Sequence, residues 1–147
     1  MSNLTQAQIP SGFKIAPGRG PFFDGNGPFW RKPGQDGRPP IFGLRPEARH
    51  TNSLGFVHGG MIATFLDSAM AQSVYEQHEC RLVTLDLSIS YKHAVPKGRW
   101  VEAETTLSAP LENIVNACVT MSCRNTICAT ATGRFQLFPN RQPGTLD

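Results

Sequence analysis

The chain lacks any apolar run near the roughly 18 residues that a membrane-spanning helix requires, so no membrane is an expected partner. Its opening MSNLTQAQIP is polar and carries no stretch of signal-peptide type. Both features lead to the expectation of a cytoplasmic protein. Cysteine is scarce, with only Cys80, Cys118, Cys123 and Cys128. Four are too few for a disulfide scaffold, and the last three stand five apart instead of forming the close pairs that zinc sites favour. On a strand such odd spacing also sends alternate side chains to opposite faces. These are expected to be small buried thiols, with no metal and no cofactor. A concentrated charge of one sign is missing too. The net +3 arises in residues 1–48, where six Lys/Arg meet three Asp/Glu, whereas residues 49–147 hold eight of each. No basic run exceeds Arg31–Lys32, which argues against nucleic acid.

What is present fits one globular domain: 147 residues, 39% apolar and 17% charged. Of the 14 Gly and 12 Pro, 16 fall between Pro10 and Pro46. That density marks residues 1–40 as an irregular N-terminal arm. Phe13, Phe22, Phe23, Phe29 and Trp30 within it imply that the arm lies against the body. A domain over residues 41–138 and a tail over residues 139–147 complete the expected organisation.

A short strand is expected at about Ile41–Leu44 and a helix from about Gly60 to Gln77. Met61, Phe65 and Ala69 recur every four residues while Ile62, Leu66 and Met70 fill the remaining circumference. Such a helix is buried on nearly all sides. Period two then takes over: Val83, Leu85, Leu87, Ile89 and Tyr91 alternate with Thr84, Asp86, Ser88 and Ser90. Further strands are expected at about Arg99–Ser108, Ile114–Cys123 and Ile127–Phe138, with Arg124–Asn125 as a tight hairpin turn. One helix followed by consecutive strands on short turns means an antiparallel α+β fold, with long strands curling around a central helix. The free face and edges of such a sheet point to a homo-oligomer.

Two features carry candidate chemistry. His58-Gly59-Gly60 stands at the start of the helix, where backbone N–H groups lack intrahelical acceptors and the macrodipole is positive. Glycine there lets a ligand approach the backbone, and an entry turn alone explains the same residues equally well. Asp67 is the sole ionisable residue between Met61 and Val74. A carboxylate on a buried helix must be paired, solvated in a cleft or protonated, and desolvation raises its pKa. Eight residues separate Gly59 from Asp67, about 12 Å along a helix axis. The two can therefore meet one reacting carbonyl only if a two-fold axis sets two helices antiparallel.

The run NSLGFVHGGMIATFLD, with Asn six positions before the His and Asp nine after it, followed by VTLDLSISYKHAVPKG, resembles the hotdog-fold acyl-CoA thioesterases of the phenylacetate-pathway, or PaaI-type, branch. The similarity spans about residues 41–138. It implies a hotdog fold, an antiparallel sheet wrapped around one long helix, and hydrolysis of an acyl- or aryl-CoA thioester at a site shared within a dimer or dimer of dimers. It also implies that Asp67 is general base or nucleophile and that the Gly59 N–H binds the thioester oxygen. Asn52 and His58 would then orient substrate and water, and Thr84 would hold the attacking water or the carboxylate. Gly60 and Phe65 are the expected contacts to substrate. Relatives carry a basic residue after the second strand for a coenzyme A phosphate, yet here the region reads SAPLENIV, with Glu112 in its place. Arg134, Lys92 or Lys97, or the arm, is then expected to hold the nucleotide, unless the thiol carrier is a pantetheine-bearing protein or coenzyme A is not used at all. Coenzyme A enters as part of the substrate. A hotdog enoyl-CoA hydratase or dehydratase and a non-catalytic acyl-CoA-binding module stay open as alternatives.

Overall fold

The computed structural model describes residues 9–140; residues 1–8 and most of the expected tail, from 141 onward, lie outside them. The elements are β1 (Lys14–Ile15), α1 (Pro21–Asn26), β2 (Phe29–Lys32), β3 (Ile41–Leu44), a 3-10 turn (Ala48–His50), α2 (Gly59–His78), β4 (Arg81–Tyr91), β5 (Val101–Leu107), β6 (Ile114–Cys123) and β7 (Thr126–Phe138). All seven strands form one antiparallel sheet in the order β1-β2-β3-β5-β6-β7-β4. The architecture is α+β, with α2 lying across the concave face of the sheet.

Helix α2 forms where the four-residue recurrence of apolar side chains begins. Leu66, Ala69, Met70 and Val74 are each 0% exposed. Truncating Leu66 to alanine would cost about 2–5 kcal/mol. His58 caps the helix: its Nδ1 accepts the Gly60 N–H at 2.8 Å. Glu79 ends it in the left-handed conformation, φ 50°, its N–H returning to the Tyr75 carbonyl. On β7, Gly133 faces Met70 of the helix at close range. A Cβ there would stand 2.9 Å from the Phe135 ring and 3.2 Å from Met70 Cε, so a larger residue would require those side chains to shift.

The segment expected to be irregular is in part a sheet extension. β2 pairs with β3 and β1 pairs with β2, while Phe29 stacks on Phe65 of α2 with ring centroids 5.8 Å apart. Arg31 grips Glu76 of α2 with two hydrogen bonds of 2.7 and 2.8 Å. Four of the five aromatic residues singled out in this arm are buried, but Phe22 is 69% exposed. Its neighbour Phe23 takes the inward position of the short helix α1 instead. The thiols also divide: Cys80 and Cys128 are buried, whereas Cys118 is exposed and Cys123 is partly so. Cys118 pairs with Thr132, among the outward-facing positions of β6 and β7.

Strand β4 departs from strict alternation. Its pairing with β7 shifts between Thr84 and Asp86, leaving Leu85 as an extra residue in a β-bulge. Before the bulge, Thr84 lies opposite the buried Phe135; after it, Leu87 and Ile89 lie opposite Gly133 and Ala131. Thr84 therefore shares the helix-facing side with Leu87, Ile89 and Tyr91, and Val83 joins Asp86 and Ser88 on the other. A single inserted residue changes the face of everything before it.

Candidate active site

The helix start and the middle of β4 define two half-sites. At the first, the turn before α2 is built by Asn52, whose Oδ1 accepts the N–H groups of Leu54 (2.9 Å) and Phe56 (3.2 Å). Asn and Asp commonly organise turns in this way. His58 then uses its side chain on Gly60 and its carbonyl on Met61 and Ile62. Gly60 thus has no N–H left for a substrate. The Gly59 N–H, by contrast, has no acceptor among the described residues. The Gly59 carbonyl accepts a hydrogen bond from the Tyr91 hydroxyl at 2.8 Å, which fastens the helix start to the end of β4.

At the second half-site, the Thr84 hydroxyl donates to Asp67 Oδ1 at 2.9 Å. Asp67 is half-buried, and that burial pushes its carboxyl above the usual aspartate value, while the Thr84 hydrogen bond pulls it down. No cation pairs with Asp67 in the described residues. The β4 bulge makes this contact possible, because without it Thr84 would face away from the helix.

The other expected contacts are scattered. Phe65 is only 1% exposed and belongs to the core beneath Phe29, so it is out of reach of a substrate. Arg134 lies on the outer face of β7 with its guanidinium 2.6 Å from Asp86 Oδ2, across the sheet from Thr84. It is already engaged and aimed away from Asp67. Lys92 and Lys97 are exposed, and the Lys92 side chain makes no ion pair in the described residues. Glu112 occupies the turn between β5 and β6 at φ 52°, exposed. In the sequence Tyr91 is one apolar position in an alternating strand, and nothing local signals that its hydroxyl reaches Gly59.

Residues 54–109, which hold the His-Gly-Gly turn, Asp67 and Thr84, match the thioesterase superfamily. A candidate esterase of Pseudomonas aeruginosa is 26% identical over 132 residues, covering 88% of this chain and 97% of that protein. Among solved structures, a variant of the phenylacetic acid degradation protein PaaI from Thermus thermophilus superposes with a TM-score of 0.70. It is 23% identical, and the match covers 80% of this chain and 100% of that one. A Bacillus halodurans protein crystallised with CoA is 26% identical, with a TM-score of 0.62 over 67% of this chain and 66% of its own. A seven-stranded antiparallel sheet around one long helix gives this chain the hotdog fold that the PaaI structure shares, and the segment that carries the helix start, Asp67 and Thr84 is similar to the thioesterase superfamily.

Proposed function

We propose that this enzyme hydrolyses an acyl- or aryl-CoA thioester, with Asp67 as the base and the Gly59 N–H of a partner subunit as the oxyanion donor. The carrying observation is the half-buried carboxylate of Asp67, oriented by Thr84 and free of any cation among the described residues. A desolvated carboxylate with a raised pKa is a stronger base than an exposed one.

In the reaction, Asp67 takes a proton from water as the water oxygen bonds to the thioester carbon. The carbonyl oxygen becomes an oxyanion that accepts the Gly59 N–H. The C–S bond then breaks, the carbonyl re-forms, and the thiolate leaves with the proton that Asp67 held. One thioester and one water give one carboxylic acid and one thiol. Because a thiolate leaves readily, no strong general acid is needed. Thr84 holds the carboxylate, His58 fixes the helix start, and Asn52 shapes the turn before it.

The need for a partner follows from distance and from the sheet edge. Within one chain Gly59 and Asp67 lie about 12 Å apart along the helix. Strand β4 ends the sheet, and Val83, Leu85 and Tyr91 along it are 49%, 45% and 55% exposed. A long apolar edge of this kind calls for a cover. Pairing two β4 edges about a two-fold axis runs them antiparallel, so the Tyr91 end of one meets the Thr84 end of the other. Since Tyr91 holds Gly59 and Thr84 holds Asp67, each carboxylate then approaches the neighbour's helix start. A thiol-release assay over short, long and aromatic CoA esters tests the reading. Asp67→Ala should lower turnover by orders of magnitude with the oligomer intact, and undiminished hydrolysis in that variant would remove Asp67 from the mechanism.

A further inference from the structure

Asp67, Ala71 and Tyr75 follow one another at four-residue intervals on one face of α2. Opposite them, Leu82 and Thr84 occupy the helix-facing side of β4, paired with Leu137 and Phe135. Beyond Asp67 these elements open into a cleft of about 310 Å3 walled by Arg19, Ala71, Gln72, Tyr75, Arg81 and Leu82. Its near end is one helical turn from Asp67, about 5–6 Å. Measured along the strand from Thr84 to Leu82 it is about 7 Å, so helix and strand agree on its place.

The walls hold two guanidinium groups and no carboxylate. Neither Arg19 nor Arg81 forms an ion pair in the described residues. Arg19 lies over the Tyr75 ring at 4.6 Å. Among the described residues, Arg81 has a buried Nη1 without a partner, and Gln72, 5% exposed, has neither Oε1 nor Nε2 satisfied. Leaving each such group unpaired costs about 1–3 kcal/mol, and a bound acceptor relieves it for the two donors, Arg81 Nη1 and Gln72 Nε2. Ala71, Leu82 and the Tyr75 ring meanwhile offer apolar surface to a short chain or a ring.

We infer that the acyl group cleaved by this enzyme ends in a carboxylate, which Arg81, Arg19 and the Gln72 amide bind in this cleft while Asp67 acts on the thioester at the other end. The inference rests on the hydrolysis reading above and names its substrate class. A carboxylate supplies two acceptor oxygens and one negative charge to a site with two cations and an idle amide. At the roughly 30 Å3 that a water molecule occupies in the liquid, the cleft has room for about ten heavy atoms. A short dicarboxylic half-thioester or a carboxyaryl group meets that limit. A neutral acyl chain of equal length would leave both cations and the amide unmatched.

Matched pairs of thioesters test this: glutaryl-CoA against pentanoyl-CoA, and 4-carboxybenzoyl-CoA against 4-methylbenzoyl-CoA. Two readouts are taken on the oligomeric enzyme, kcat/KM from thiol release and Kd of the non-hydrolysable thioether analogues by calorimetry. At least a tenfold preference for the carboxylated member is expected in both. Arg81→Met should reduce kcat/KM for the carboxylated thioester at least tenfold more than for its neutral partner. Gln72→Leu, which keeps the side-chain volume and removes the buried unpaired amide, should shift the ratio the same way by less. Equal affinity for the two members, or an Arg81→Met loss of the same size on both, would overturn the inference. If no thioester is cleaved, the hydrolysis reading fails and the thioether Kd ratio still decides the cleft's ligand. If cleavage occurs without carboxylate preference, only the present inference falls.

Discussion

Gly59→Pro isolates a single backbone hydrogen as the proposed oxyanion donor. Proline lacks the N–H, and the site is one where its ring fits. Gly59 is the first helical residue, where proline is well tolerated. The preceding His58 already has φ −60° and ψ 137°, the extended conformation that a residue before proline adopts. A Cβ at position 59 meets the Tyr91 hydroxyl at 3.4 Å and its ring carbon Cζ at 3.5 Å, ordinary van der Waals contact. The Gly59 carbonyl keeps its bond from Tyr91. Folding stability should therefore hold, or rise by about 0.4–1 kcal/mol through the stiffer unfolded chain. Catalysis should not hold, because the other first-turn donors are occupied: Gly60 by the His58 ring, Met61 and Ile62 by the His58 carbonyl. Loss of one oxyanion donor corresponds to about 2.7–4 kcal/mol, roughly 10²–10³ in kcat. Gly59→Ala adds the same Cβ and keeps the N–H, so the proline-to-alanine ratio of kcat removes the steric contribution. Thermal melts and sedimentation confirm that both variants fold and assemble. A proline variant with kcat within threefold of the alanine variant would refute the donor assignment.

The remaining predictions concern Asp67, Thr84 and the sheet edge. Asp67→Asn should reduce kcat by about 10²–10⁴, the usual worth of a general base. Because burial raises the folded carboxyl pKa, ionisation opposes folding. The native stability contributed by the proton is full below the unfolded aspartate value and lost as pH rises through the folded one. Asp67→Asn should therefore melt higher than the native protein at neutral pH, with the gain vanishing in acid; a gain that persists or grows on acidification would contradict this. Thr84→Val removes the hydrogen bond that lowers the Asp67 pKa, so the acid limb of the kcat/KM profile should move to higher pH, whereas Thr84→Ser should keep it near its native position. Leu85→Arg places a like charge on each of two facing β4 edges. It should yield monomers by sedimentation, with hydrolysis reduced in proportion to the dissociated fraction, and an active monomer would separate catalysis from assembly.

Much of the architecture was legible in local pattern. The apolar recurrence through Met61, Phe65 and Ala69 located α2, and alternation located the strands, because both periodicities report which side chains must leave water. The one acid in the apolar stretch of that helix between Met61 and Val74 was legible for the same reason: an ionisable group among apolar neighbours stands out in any reading. The arm was less so, since β1 and β2 form through pairing with a strand and through Phe29 meeting Phe65, contacts that glycine- and proline-rich stretches do not announce. Phe65 looked like a pocket residue until the arm covered it.

The sequence by itself determined a buried helix, antiparallel strands, a donor-rich helix start and one acid eight residues beyond it, because these depend on spacing and hydrophobicity along the chain. Only the tertiary structure decided that Thr84 meets Asp67, that Tyr91 holds Gly59 and that Arg134 looks away. Each of those outcomes turns on strand register, and an inserted residue at Leu85 reverses faces without altering composition. The cleft of Arg19, Gln72 and Arg81 likewise exists only once the arm, helix and edge strand converge, since no two of those three residues are neighbours in the chain.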